Sequence, residues 1–427
     1  MSIEMGHSFI CRNKDCINCA EGKLHYKPTY VQFTDRQNSC CSSCDWKLRW
    51  ESDNQKIYFL THPCDKGEGN QGSVYKALEV NSNSKGFDTE KIYAIKFLRQ
   101  TPDVDTFNRE IEGLQISRNS GARVPNYIDH YHPQQRASNG NASEDAFLVM
   151  EFIEGDRLSQ KILEQTQENQ TAGNNEIFSR EKEIFGYLID LLETLHLIHK
   201  NRIIHRDIKP DNIVVRKQTQ EVRNFTNDRK LYLVDFGICK HLATDSNTEF
   251  TEYQPHTPIY APPEILIRNR PSSQESLDSS IIEFTKDISL ENYAETRDIY
   301  SLGITICKLI YERFYKNSQT GQLAYKRHKP HDTKWNYDMK EVRKLAPNIY
   351  CIVDKMLRYY PDERYQTAIE VLLDASTQAW YTYKQKDDFW LLQGPFLQDA
   401  HNCQIPKTKQ HEIFLHKSWD KQLDRIL

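Results

Sequence analysis

The sequence lacks the long apolar segment that a membrane-spanning helix requires. Its longest apolar run, near residues 299–311, is interrupted by several polar or small residues and falls well short of about 20 residues. The N-terminus also lacks a basic region followed by an apolar region before Cys11, so it does not resemble a secretory signal. We therefore expect no membrane span and a cytoplasmic location.

An excess of positive charge is also missing. The 56 Lys and Arg residues stand against 60 Asp and Glu residues, which gives a formal net charge of −4. No global basic field points to nucleic acid or to anionic membranes as a partner. The length of 427 residues, 38% of them hydrophobic, predicts two or three domains with a sizeable core.

The chain does contain a cluster of cysteines near its N-terminus. Six of the 11 cysteines lie between Cys11 and Cys44. Two Cys-x₂-Cys pairs stand out, 21 residues apart: Cys16 with Cys19, and Cys41 with Cys44. In a reducing compartment such pairs more often hold metal than form disulfides, and four thiolates suit a tetrahedral zinc site. Cys11 or Cys40 can replace a neighbour, and redox-active or unmetallated thiols are the alternatives.

The pattern of apolar residues predicts an α+β protein with a small β-rich part and a larger helical part. Strand-like runs occupy residues 57–60, 73–78, 92–98 and 146–150, with one helix at about 105–117 among them. From Arg180 onward the apolar residues follow a helical period: Ile184, Leu188, Leu191, Leu192, Leu195 and Ile198. Three polar stretches are expected to be surface loops: residues 81–90, 165–175 and about 268–290.

These patterns divide the chain into three parts. A cysteine-rich module covers residues 1–50, a main domain covers about 55–380 with a division near residue 152, and a tail covers 381–427. Four residues lie next to the module, where they can form a contact surface or pack against the small β-rich part: Trp46, Lys47, Arg49 and Trp50.

A glycine-rich stretch links the first two strand-like runs. Gly67, Gly69 and Gly72 are spaced as Gly-x-Gly-x-x-Gly, and without Cβ atoms their backbone amides can approach phosphate oxygens closely. The stretch leads into a strand-like run, which argues against a dinucleotide-binding fold. The pattern alone is weak, and a hairpin turn explains it equally well.

A lysine and a glutamate further along strengthen the phosphate-binding interpretation. Lys96 lies in the third strand-like run with apolar neighbours, and Glu110 lies on the following helix, 14 positions later. This spacing suits an internal ion pair directed at phosphates.

Two further motifs identify a resemblance. The segment 205–212 reads His-Arg-Asp-Ile-Lys-Pro-Asp-Asn, and residues 235–237 read Asp-Phe-Gly. Over about residues 55–380 the chain resembles the eukaryotic-type protein kinases of the serine/threonine class. The resemblance implies a bilobal protein-kinase fold, with a small β-rich N-lobe and a larger helical C-lobe.

The resemblance also implies roles for individual residues and the use of ATP with Mg²⁺ or Mn²⁺. Asp207 accepts the proton of the substrate hydroxyl, Lys209 neutralises the transferred phosphoryl group, and Lys96, held by Glu110, binds the α- and β-phosphates. Asn212 and Asp235 are the implied Mg²⁺ ligands. The implied nucleotide-binding residues are Gly67, Glu68, Gly69, Asn70, Gln71, Gly72, Ser73, Val74, Ala94, Lys96, Met150, Glu151 and Ile153. For the apolar ones, ordinary core packing is an equally good interpretation.

Later segments fit the same resemblance. Residues 257–264 resemble the end of an activation loop, although Pro262 stands where the family usually has alanine, and Arg364 matches the arginine that pairs with Glu264. Lys209 and Thr257 are typical of serine/threonine specificity.

Regulation and partners are further expectations from the resemblance. Arg206 precedes Asp207 and is expected to bind a phosphate on the activation loop, with Thr248 or Thr251 as the autophosphorylated residue. The expected partners are protein substrates with Ser or Thr acceptors and the kinase itself. The alternatives are a constitutively active enzyme, a nucleotide-binding scaffold without transfer activity, and a nucleic-acid-binding zinc module at the N-terminus.

Overall fold

A computed structural model of the chain describes residues 8–9, 29–30, 49–63, 72–81, 86–98, 103–134, 145–160, 174–217, 231–242, 257, 259–268, 293–314 and 339–383. The chain divides into two compact units. The first comprises Met1–Gln115 and Pro125–Ile153, and the second comprises Ile116–Val124 and Glu154–Leu427.

The first unit is built on a β-sheet. Its strands are β1 (Ser8–Phe9), β2 (Thr29–Tyr30), β3 (Arg49–Glu51), β4 (Ile57–Pro63), β5 (Gly72–Asn81), β6 (Gly86–Leu98), β7 (Tyr127–Tyr131) and β8 (Phe147–Glu151). Strands β1 and β2 form a separate antiparallel pair, and the other six form one sheet in the order β3-β4-β5-β6-β8-β7. The long helix α1 (Val104–Asn119) lies between β6 and β7 in sequence.

One face of the six-stranded sheet carries the core of this unit. Because neighbouring residues of a strand point to opposite faces, alternate positions of β5, β6 and β8 supply a cluster of buried side chains, among them Tyr75, Ile95, Phe97 and Phe147. Trp50 joins the cluster, with its ring centroid 4.6 Å from that of Phe97. Of the two interpretations of Trp50, packing is therefore the one that holds.

Two of the expected loop stretches are partly regular structure. Residues 86–90 were expected in a loop, but they form the first half of β6, which pairs Val80 with Phe87. Gly86 also lies opposite Asn81, so backbone pairing with β5 extends to the start of β6. The stretch 165–175 also overlaps a helix, which begins at Asn174.

The second unit is mainly helical. Its helices are α2 (Asn174–Lys200), α3 (Pro263–Arg268), α4 (Ala294–Phe314), α5 (Met339–Leu345), α6 (Tyr350–Met356) and α7 (Ala368–Tyr383). Its short strands are β9 (Gly155–Arg157), β10 (Ile203–Ile204), β11 (Ile213–Arg216), β12 (Leu231–Leu233) and β13 (Lys240–His241). The apolar stripe predicted from Ile184 to Ile198 is buried along α2, which packs against α4 and α7. None of the helices described here is long and apolar enough to cross a membrane.

Candidate active site

In the first unit, Lys96 and Glu110 form a buried ion pair. Lys96 Nζ lies 2.6 Å from Glu110 Oε1, and the two residues are 3% and 7% exposed. Strand β6 supplies the lysine and helix α1 supplies the glutamate. A buried ammonium group needs such a partner, because an unpaired charge is costly away from water.

The face of the sheet that carries Lys96 also carries three of the predicted nucleotide-binding side chains. Val74 on β5 lies opposite Lys96, and Ala94, two residues before Lys96, lies opposite Met150 on β8. Alternation along each strand places all four residues on one face, opposite the aromatic core. This face of the sheet therefore carries the ammonium group of Lys96 next to three apolar side chains.

Two other predicted residues have contacts of their own. The Glu151 carboxylate accepts a hydrogen bond from the backbone N–H of Asn126 at 3.1 Å, so this side chain fixes the start of β7. Ile153 is buried at the end of the first unit.

At the end of the glycine-rich stretch, Gly72 occupies a position that a larger residue does not fit. It has a φ of 151°, and a Cβ atom there would overlap the carbonyl oxygen of Phe97 on the neighbouring strand. Close approach of two strands therefore requires glycine here. Ser73, the next residue, lies opposite Phe97 in the ladder between β5 and β6.

In the second unit, the carboxylate of Asp207 is held by three side chains. Oδ2 accepts hydrogen bonds from Lys209 Nζ at 2.7 Å and from Asn212 Nδ2 at 2.9 Å. Oδ1 accepts one from Thr257 Oγ1 at 2.6 Å. Lys209 Nζ also donates to Thr257 Oγ1 at 3.1 Å. The carboxylate has one orientation, and Lys209 supplies a positive charge next to it.

The backbone before Asp207 is fixed by a buried carboxylate on helix α4. Asp298 on α4 accepts hydrogen bonds from the N–H groups of His205 and Arg206, each at 2.8 Å. These bonds stabilise Arg206 in a left-handed conformation with a φ of 68°, which costs energy for a non-glycine residue. His199 at the end of α2 contacts the same carboxylate, with Nε2 2.9 Å from Asp298 Oδ2.

The charges of this buried pair depend on each other. Burial alone would lower the pKa of His199, but its hydrogen bond to Asp298 and its ion pair with Glu295, at 3.4 Å, outweigh that effect and raise the pKa to about 9. Burial would likewise raise the pKa of Asp298, but the hydrogen bond from His199 holds it below its ordinary value.

We therefore expect stability to fall on the alkaline side. A histidine whose pKa is raised on folding stabilises the fold fully below its ordinary pKa of 6.5, and this contribution is lost as the pH rises through about 9. Between pH 6 and pH 10, the free energy of unfolding of the wild-type protein should fall by on the order of 1–3 kcal/mol more than that of His199→Gln. Thermal unfolding of both proteins across this pH range measures the difference. Parallel pH profiles for the two proteins would contradict this interpretation.

Asn212 and Asp235 have oxygen atoms suited to a magnesium ion. Both hydrogen bonds of the Asn212 amide to Asp207 are made by its Nδ2 atom, so the remaining polar atom of this side chain is an oxygen. Asp235, with a φ of 70°, follows β12, and the N–H of Val234 donates to the backbone oxygen of Asn212 at 2.9 Å. Mg²⁺ prefers one or two such protein oxygens, and substrate phosphates complete its ligands. The residues fit the ion.

A ring contact also connects the two motif segments. The rings of His205 and Phe236 meet edge to face, with centroids 4.9 Å apart. This contact fixes the segment before Asp207 against the segment that carries Asp235.

Beyond Thr257, the chain is fixed by a buried arginine. Arg364 Nη1 and Nη2 each donate to the Glu264 carboxylate at 2.8 Å, as the sequence resemblance implies. Pro262 does not disturb the start of α3, because its carbonyl oxygen accepts hydrogen bonds from Ile265 and Leu266.

Several predicted residues lie outside the described part of the chain. They are Gly67, Glu68, Gly69, Asn70 and Gln71 of the glycine-rich stretch, Cys16, Cys19, Cys41 and Cys44 of the zinc prediction, and Thr248 and Thr251 of the activation loop. Within the described part, no group of three or more His, Cys, Asp or Glu side chains is arranged to hold a metal ion.

The chain belongs to the protein kinase domain family, whose model matches residues 65–375. A unit built on a β-sheet and a mainly helical unit, each with its set of charged residues, fit the α+β fold of protein kinases.

Individual relatives are more distant. The chain is 27% identical to "Serine/threonine-protein kinase B" of Synechocystis sp. over 78% of this chain and 48% of that protein. It is 28% identical to "Serine/threonine-protein kinase PknA" of Nostoc sp. over 63% of this chain and 37% of that protein. It is 25% identical to "Serine/threonine-protein kinase PAK 1" of Mus musculus over 57% of this chain and 33% of that protein. The chain thus spans less than half the length of these curated relatives.

Proposed function

We propose that this protein is a serine/threonine protein kinase that transfers the γ-phosphate of ATP to Ser and Thr hydroxyls of protein substrates. The observation that carries the proposal is the Asp207 carboxylate, which is buried and held by hydrogen bonds from Lys209, Asn212 and Thr257. A fixed carboxylate next to a lysine ammonium group suits a hydroxyl nucleophile and a negatively charged phosphoryl group.

The proposed roles follow from these contacts. Asp207 orients the substrate hydroxyl and accepts its proton, and Lys209 neutralises charge on the transferred phosphoryl group. Asn212 and Asp235 would hold Mg²⁺, which when bound offsets the negative charge of the phosphates. Lys96, held by Glu110, binds the α- and β-phosphates. Phosphoryl transfer requires mainly such positioning and charge neutralisation.

Serine/threonine specificity rests on the residues around Asp207. Lys209 stands two positions after the aspartate and donates to both Asp207 and Thr257. The proteins to which the chain is similar carry the name serine/threonine kinase, which supports the same class.

Labelling with γ-labelled ATP tests the proposal. The purified chain with Mg²⁺ or Mn²⁺ should label itself or generic acceptor proteins, and acid hydrolysis should release phosphoserine or phosphothreonine. Binding of ATP without any transfer would favour a nucleotide-binding scaffold instead, and label on tyrosine alone would overturn the proposed specificity.

The proposal includes activation by autophosphorylation at Thr248 or Thr251. Arg206 adjoins Asp207, and its backbone is fixed by Asp298, so a phosphate bound by this arginine could order the loop. Mass spectrometry after incubation with ATP should find phosphate between residues 240 and 256. Phosphate elsewhere in the chain but not in this segment would contradict this mode of regulation.

The proposal also includes a structural zinc ion bound by Cys16, Cys19, Cys41 and Cys44. The two Cys-x₂-Cys pairs support it, as does the cytoplasmic compartment that we propose for the chain, since such cysteine pairs more often hold metal there. Elemental analysis should find one zinc ion per chain, and the double variant Cys16→Ser/Cys19→Ser should lose it. The matched control is Cys351→Ser, which removes an exposed thiol in α6. Equal zinc contents in all three proteins would exclude this site.

A further inference from the structure

Residues 52–54, which we call the edge bracket, connect the two opposite edges of the six-stranded sheet. They follow β3, the first strand in the sheet order, and they contact β7, the last strand. Asp53 N donates to the carbonyl oxygen of His130 at 2.8 Å, and His132 N donates to Asp53 Oδ2 at 3.3 Å. A short turn thus joins strands that are not hydrogen-bonded to each other within the sheet.

The edge bracket contacts β7 chiefly through the buried carboxylate of Asp129. Its Oδ2 accepts a hydrogen bond from Ser52 Oγ at 2.7 Å, and its Oδ1 accepts one from Asn54 Nδ2 at 2.9 Å. The N–H of His130 donates to the same Oδ1 at 2.8 Å. Because a fully buried carboxylate needs its donors, removal of one is expected to make β7 shift or admit water.

A tight turn directs these side chains toward β7. Ser52 N donates to the carbonyl oxygen of Lys56 at 2.9 Å, and Gln55 N donates to that of Ser52 at 3.0 Å. Gln55 takes the left-handed conformation with a φ of 64°, which closes the turn between β3 and β4. The conformation of the bracket is therefore stabilised by hydrogen bonds within residues 52–56, in addition to its contacts with β7.

His130 on β7 and His132 just after it contact helix α1. The ring of Phe107 on α1 lies 5.5 Å from that of His130 and 5.0 Å from that of His132, centroid to centroid. Phe107 is buried, and it precedes Glu110 by three residues, so the two side chains lie on the same side of the helix. Glu110 in turn contacts Lys96. Side-chain contacts from residues 52–54 to Phe107, and helix α1 from Phe107 to Glu110, therefore connect the edge bracket with the ion pair.

We propose that the edge bracket positions α1, and with it Glu110, for the kinase reaction. Ser52, Asp53 and Asn54 are positioning residues in this sense, and the inference rests on the proposed function of the Lys96–Glu110 pair. The bracket begins eight residues after Cys44 in the sequence, so it also gives the cysteine-rich segment a covalent connection to the contacts that hold α1.

Amide hydrogen exchange of the full chain tests the positioning role without any need for activity. We expect Ser52→Ala and Asn54→Ala to raise exchange in residues 104–115 on the order of tenfold, because α1 opens more often when β7 is released. The matched control is Thr61→Val, which removes a side-chain hydrogen bond to the carbonyl oxygen of Lys76 in the same sheet and leaves the bonds of Ser52, Asp53 and Asn54 to β7 in place. Because Asn54 is exposed, its variant is expected to fold even where Ser52→Ala does not.

Kinetics then connects the bracket to Glu110. Ser52→Ala or Asn54→Ala should lower kcat/KM for ATP on the order of tenfold in the wild-type background and have little effect in a Glu110→Gln background. Faster exchange confined to residues 49–63, or equal kinetic effects in both backgrounds, would overturn the inference. If the wild type transfers no phosphate, the proposed function fails, while the exchange result still decides whether the bracket holds α1.

Discussion

Asp207→Asn is expected to lower kcat for phosphoryl transfer by about 10²–10⁴-fold, with a smaller change in KM for ATP. Asparagine has the shape of aspartate, but one oxygen becomes an NH₂ group that cannot accept a proton. That group would also face donors where Asp207 now accepts hydrogen bonds from Lys209, Asn212 and Thr257. Steady-state kinetics with an acceptor protein measures both constants.

The matched control for this substitution is Asp354→Asn. Asp354 forms a surface ion pair with Arg358, four residues further along the chain, and such pairs contribute little. We expect its kcat to equal that of the wild type. If Asp207→Asn retained kcat within about threefold of the wild type, Asp207 would not be the group that accepts the proton.

The sequence predicts those parts of the structure in which the local pattern of apolar residues matches the residues that are buried. The nearly continuous apolar run of residues 92–98 predicts a buried strand, as observed in β6, where Lys96 lies on one face and Ile95 on the other. The helical stripe of α2 is likewise buried as its period predicts. In both cases the pattern reports burial directly, because buried faces need apolar side chains.

The contacts that the sequence did not predict are non-local and polar. Nothing in the neighbourhood of Asp129 distinguishes it from a surface aspartate, because its partners Ser52 and Asn54 lie more than 70 residues earlier in the chain. The same holds for His199, whose partner Asp298 follows 99 residues later. Buried polar groups are specified by their partners, so a single sequence shows them only when the partner is known.

Two strand segments, β3 and the start of β6, were not predicted from the sequence for a different reason. Strand β3 has three residues, Arg-Trp-Glu, which are too few for an alternating pattern, and Trp50 is directed into the core. Residues 86–90 of β6 have a polar composition, and the start of this segment is connected to β5 by the pairing of Gly86 with Asn81 and of Phe87 with Val80. In both segments backbone pairing with a neighbour, not side-chain pattern, determines the structure.

Arg364→Ala is expected to destabilise the second unit by about 3–5 kcal/mol, because it leaves the buried Glu264 carboxylate without its partner. Arg364 is 2% exposed. Besides its two bonds to Glu264, it donates to the carbonyl oxygens of Arg358 and Tyr359 and lies 4.7 Å from the ring centroid of Tyr300. Alanine would remove all of these contacts at once. Urea unfolding followed by circular dichroism measures the loss.

Arg358→Ala is the matched control, because Arg358 is an exposed arginine six residues earlier whose only side-chain bond described here is the surface pair with Asp354. Its cost should stay below about 1 kcal/mol. The double variant Glu264→Met/Arg364→Met should be more stable than Arg364→Ala, since it leaves no buried charge unpaired. If Arg364→Ala and Arg358→Ala lowered the free energy of unfolding equally, the buried pair would contribute no more than a surface pair. The position of α3 would then have to depend on apolar packing alone.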